Sequence, residues 1–139
     1  MAELVDILVD DDGNFVLAPD GDAAVVTDKA VILQDIKHEI MTYLGGIPWH
    51  PEYGGKLQEY LKDEGTPINQ KAMARELAVI VAKHPNVLPG SVSAAVKAWE
   101  GEAIELETGF RYTLEESAAE ASAALVVIID KTGVRVYEA

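Results

Sequence analysis

Three histidines, twenty-four carboxylates and no cysteine bound the chemistry open to this chain. His38, His50 and His84 are scattered, and no two share the i, i+4 spacing that puts both imidazoles on one helical face for zinc. The run Asp10-Asp11-Asp12-Gly13-Asn14 suggests calcium at first sight. An EF-hand loop needs Gly at its sixth place and Glu at its twelfth, and counting from Asp10 those places hold Phe15 and Gly21. A solvated turn accounts for the run. Hydrolysis asks for two carboxylates in contrasting environments, one with a raised pKa. Glu39, Glu52, Glu59 and Glu76 qualify only because acids are abundant. There is no Gly-x-Ser-x-Gly elbow, no phosphate-cradling glycine loop and no thiol nucleophile. The expectation is a protein without catalytic residues, metal or cofactor.

What remains is chemistry for holding other proteins. Residues 45–61 place Pro48, Trp49, Pro51 and Tyr53 in a loop whose Gly54-Gly55 permits close backbone approach. Pro51, Tyr53 and Leu57 are expected to fold back over the helical core. Trp49 is expected to face a partner, because loop aromatics are frequent interface anchors.

The elements that position this loop can be read from periodicity. Residues 4–9, 15–17 and 23–26 read as short strands joined by turns at Asp12-Gly13 and Asp20-Gly21, giving N-terminal β-hairpins. Thr27 or Asp28 offers an N-cap for a helix reaching about Leu44, with Ile32, Ile36, Ile40 and Tyr43 on one face. A short helix follows from Lys56 to about Leu61. A third helix spans about residues 68–83, with Met73, Leu77, Ile80 and His84 on one stripe and His84-Pro85 ending it. The pattern then turns to strands over residues 92–100, 103–114, 124–130 and 134–138, with hairpin turns at Gly101 and Gly133. The fold expected is α+β: N-terminal hairpins, two main helices plus a short one, and a C-terminal antiparallel sheet, in a single domain over residues 1–139.

Composition narrows the partners. Half the chain is apolar (49%), which suits a packed core. A net charge of −13 repels nucleic-acid phosphates and anionic lipid headgroups, so neither is an expected partner, and a basic protein surface would suit it better. The first residues, Met1-Ala2-Glu3-Leu4-Val5-Asp6, lack the basic start and apolar run of a secretory signal, and residues 123–129 are too few to span a bilayer. Synthesis in a cytoplasm is expected.

The segments Gln34-Asp35-Ile36 to Leu44-Gly45-Gly46, then Pro51-Glu52-Tyr53-Gly54 and Leu57, resemble the small baseplate wedge family of contractile tails. That family includes W-type phage baseplate proteins and type VI secretion baseplate subunits, and is sometimes labelled "tail lysozyme-like". The resemblance covers about residues 4–114. Two departures stand out: Gly45 is followed by Gly46-Ile47 where the family carries an acid, and its Glu-Pro-Arg-like motif corresponds here to His84-Pro85-Asn86. The resemblance implies a structural subunit, about six per baseplate, in a virion tail assembled in the host cytoplasm. It implies that Pro48, Trp49, Tyr53 and the corner His84, Pro85 and Asn86 meet other wedge proteins. A last strand carrying Val134, Val136 and Tyr137 could leave an edge to which tail-sheath arms add strands. The rival expectations are a peptidoglycan hydrolase and a free adaptor domain of the same fold.

Overall fold

The computed structural model describes residues 5–7, 19, 25–27, 29–113 and 120–139. Two short strands, β1 (Val5–Ile7) and β2 (Val25–Thr27), pair antiparallel with Val5 opposite Thr27. The turns expected at Asp12-Gly13 and Asp20-Gly21 lie outside the described residues. Helix α1 (Lys29–Met41), a 3₁₀ turn (Leu57–Lys62) and helix α2 (Pro67–Ala82) follow. Four strands close the chain: β3 (Ser93–Glu100), β4 (Ala103–Tyr112), β5 (Ala121–Asp130) and β6 (Gly133–Glu138). They form an antiparallel meander in the order β3-β4-β5-β6. The architecture is α+β.

The sheet is wet on one face and covered by helices on the other, which strict alternation in β4 displays. Ile104, Leu106, Thr108, Phe110 and Tyr112 are buried, and the residues between them are exposed or half-buried. Thr108, the polar member, donates its hydroxyl to the Ser93 carbonyl at 2.8 Å, so its burial leaves no orphan. Leu125, Val127 and Ile129 of β5 and Val134 and Val136 of β6 continue the buried face. β3 reaches it by a detour. Val92, Ala94 and Val96 pack inward, then a bulge between Val96 and Ala98 inserts one residue and puts Trp99 back on the same side.

Each helix presents a stripe to this face. Met73, Leu77, Ile80 and Val81 of α2 are buried at helical spacing. Thr66 caps α2 by accepting the Asn69 N–H at 3.3 Å, and Pro67 occupies the first turn, where its missing donor costs nothing. Ile32, Ile36 and Ile40 of α1 are buried as their spacing predicts. Tyr43 is not. The helix stops at Met41, three residues short of the expected end: the Thr42 N–H and hydroxyl both donate to the His38 carbonyl, but the Leu44 N–H is diverted to the Gly55 carbonyl at 3.0 Å and the chain turns away. Tyr43 leaves the apolar stripe, stands exposed, and bridges to Gly55 instead. Strand β5 begins at Ala121 rather than at the expected Ala124.

One group sits uneasily in this core. A carboxylate oxygen of Glu76 is buried with no hydrogen-bond partner among the described residues. Burial pushes the Glu76 pKa above its ordinary 4.5, and the backbone N–H of Lys56 opposes the shift. The folded chain therefore holds this proton more tightly than the unfolded chain, and stability falls as pH rises through and above that ordinary value. Glu76→Gln keeps an acceptor for Lys56 and removes the charge. The melting temperature of the variant should exceed that of the parent at neutral pH, and the gap should close below about pH 4. A gap that persists at low pH would mean that Glu76 acts through packing.

Candidate functional site

Two surfaces hold the residues singled out from the sequence: the outer edge of β6, and the loop between α1 and the 3₁₀ turn together with the corner after α2. The edge is defined by hydrogen-bond parity. Asp130 and Gly133 face each other across the two-residue turn, and further along the Ala139 N–H donates to the Ala124 carbonyl at 2.9 Å. Alternation between these points makes Tyr137 and Arg135 bond inward to β5. Val134, Val136 and Glu138 then aim their N–H and C=O groups off the sheet, where no backbone partner meets them among the described residues.

The valine side chains point elsewhere. Val134 and Val136 are buried in the core, so what they can offer a partner is the backbone of the edge rather than their side chains. Tyr137 lies on the opposite, wet face at 39% exposure. The charged side chains along this edge are paired. Lys29 of α1 meets Glu138 at 3.2 Å, Arg135 meets Asp130 at 2.7 Å, and Lys131 meets Glu102 at 2.8 Å. Hydrogen bonds from the Thr132 hydroxyl and N–H, more than the nearby Arg135, lower the Asp130 pKa.

The second surface is a loop pinched at its neck. Leu44 donates to the Gly55 carbonyl and Gly55 to the Thr42 carbonyl, each at 3.0 Å. Gly54 has φ +103°, and a Cβ there would strike the Thr42 carbonyl; a Cβ on Gly55 would run into Ile80. Across the neck lies the Lys83 ammonium. It donates to the Glu52 carbonyl at 2.8 Å and the Gly54 carbonyl at 2.9 Å, and meets the Glu39 carboxylate at 2.9 Å. Glu39 also accepts the Gly54 N–H at 3.2 Å. All three ammonium protons thus have a partner.

On this base the loop displays its aromatics. Tyr53 is half-buried, and its phenol is pushed up to about 12, first by burial and then by the negative fields of Glu39 and Asp35. His50 stacks on Tyr53 at 5.8 Å and approaches Glu52 at 3.5 Å. Pro48 and Pro51 are exposed, and Trp49 is 85% exposed. Leu57 is fully buried, as a lid residue should be, while Pro51 is not part of that lid.

The corner is mostly turned inward. His84 Nδ1 accepts the Asn86 N–H at 3.1 Å, so the ring proton sits on Nε2 and faces Asp35 at 3.3 Å. Asn86 is spent on Thr113, donating its amide to the carbonyl at 2.7 Å and accepting the Thr113 N–H at 3.0 Å. Both residues are half-buried, and within 84–86 Pro85 alone is exposed. Asp35 and Lys83 had drawn no functional expectation, and Glu39 had been weighed only as one of several abundant acids. The signal was present: Asp35 and Glu39 stand one turn apart, and Lys83-His84 sits where another helix ends. Periodicity cannot say that the two face each other.

No group of His, Asp and Glu among the described residues could hold a metal ion, and no described helix is long and apolar enough to cross a membrane. The chain matches no protein-family model and no curated protein sequence.

Lys83→Met should free the neck and leave Glu39, only 13% exposed, without its cation. A loss of about 2 kcal/mol is expected, discounted from a fully buried pair because Lys83 is one-third exposed. Amide exchange at Gly54 and Gly55 should accelerate more than at the β4 amides. Equal protection at the neck before and after the change would show that Lys83 does not hold it.

Proposed function

We propose that the chain is a non-enzymatic structural subunit of a contractile-tail baseplate wedge, joining other wedge proteins to the first ring of tail sheath. About six copies would serve each baseplate, as the family resemblance implies, and repetition around a ring would strengthen individually weak contacts. Its place would be the virion tail, assembled in the host cytoplasm. The observation that carries this reading is the outer edge of β6, where three residues present peptide groups that no backbone partner meets among the described residues. Such an edge accepts a strand from another chain by backbone pairing alone.

The opposite edge offers a contrast. β3 is bulged at residues 96–98 and carries the exposed Lys97, two devices that blunt an edge against pairing. β6 is regular throughout its pairing with β5. Of the two ends of the sheet, β6 is the one suited to extension. Trp49 supplies a second contact of a different kind, toward a neighbouring wedge protein. A large aromatic held out on a proline-flanked loop loses little conformational freedom when it enters a pocket.

Proline tests the edge with little damage to the core. Val136→Pro keeps an apolar ring pointing inward and removes one outward N–H, and Glu138→Pro does so at an exposed position. Tyr137→Pro is the control, since its N–H bonds inward to Val126. Particles carrying either of the first two variants should complete their baseplates yet lack sheath, while Tyr137→Pro should lower the melting temperature of the isolated protein. Normal sheath on particles carrying folded Val136→Pro and Glu138→Pro would overturn the proposal.

A further inference from the structure

The overall charge of −13 points toward a basic partner, but that charge is unevenly placed. Residues 1–28 contain eight of the acids and no Lys or Arg. At the edge of β6 the balance is different. Glu138 is matched by Lys29, Asp130 by Arg135, and Glu102 by Lys131 at the turn leading into the strand. Charged side chains normally guard an exposed edge by making its burial costly. Here each one already has a counter-ion, and the edge as a whole is neutral.

Resting on the reading of β6 as a docking edge, we infer that the strand it accepts is uncharged and alternates apolar with small polar residues. The geometry sets the pattern. The residues whose peptide groups point outward, Val134 and Val136, are also those whose side chains enter the core. A fifth strand pairing with them puts its matching side chains on the same face, extending the buried row beside α1, which packs against β6. Those positions require apolar residues. The intervening positions fall on the wet face beside Arg135, already held by Asp130, and Tyr137, whose ring favours a β-branched neighbour. A lysine there would find no free acid on β6.

The test uses the whole chain and three synthetic peptides of about six residues, alternating Val with Thr, with Lys or with Glu. Amide shifts of Val134, Val136 and Glu138 report binding at millimolar peptide. The Val-Thr peptide should move all three amides, with an affinity that changes less than about twofold between roughly 50 and 500 mM NaCl. The Val-Lys peptide should bind no more tightly. Binding of Val-Lys at least about tenfold tighter, and weakening steeply with salt, overturns the inference and leaves strand addition standing. If none of the peptides moves these amides, strand addition at β6 falls as well.

Discussion

In an antiparallel strand the direction of a side chain and the direction of its peptide hydrogen bonds follow the same two-residue period. β6 makes this constraint consequential because it is the end strand among the described strands of the sheet. Val134 and Val136 must point inward to complete the core, and the same parity turns their N–H and C=O groups outward. The strand cannot hide both. Sliding the register by one residue would bury Arg135 and Tyr137 and expose the valines, at a cost of roughly 1.5–3 kcal/mol per buried valine before the charge of Arg135 is counted. The core therefore sets the edge, and any use of that edge follows from how β6 is anchored.

The polar contacts play a different part. Leu77, Leu106, Leu125 and Ile129 have no exposed surface, and removing such a side chain typically costs roughly 2–5 kcal/mol. Exposed ion pairs such as Lys29–Glu138 contribute about 0–1 kcal/mol. Stability comes from the sandwich of helices and sheet, and the ion pairs decide local charge and local geometry. The exception is Lys83–Glu39. Its carboxylate is nearly buried and its ammonium is committed to two carbonyls as well, so it governs the shape of a loop that has little apolar packing of its own.

Where the sequence was legible, one period dominated. The stripe Met73, Leu77 and Ile80, the alternation through β4 and the turns at Gly101 and Gly133 each depend on neighbours a few residues away. The end of α1 differs from the spacing because Tyr43 continues the apolar stripe, whereas the Leu44 N–H and the Thr42 carbonyl are both taken by Gly55 across the loop neck. Trp49 was legible as an exposed aromatic because prolines flank it in a glycine-rich loop. Val134 and Val136 were correctly placed on the last strand, but which way their side chains face depends on the helices above. Asp35, Glu39, Lys83 and His84 were illegible as a group, since contacts between residues 44 and 49 positions apart leave no periodic trace.

Helix α1 ties the two surfaces together. Its first residue, Lys29, holds the end of β6 through Glu138, and its later turns carry Asp35 and Glu39, which hold the corner and the loop neck. Thirteen residues of helix separate these ends by roughly 20 Å. A subunit that joins two partners needs surfaces that do not compete for space, set on a strut that does not bend. Ile32, Ile36 and Ile40 seat the strut in the core, and Val31, Leu33 and Gln34 are buried on a further side. A tilt of α1 would disturb Lys29–Glu138 at one end and Glu39–Lys83 at the other.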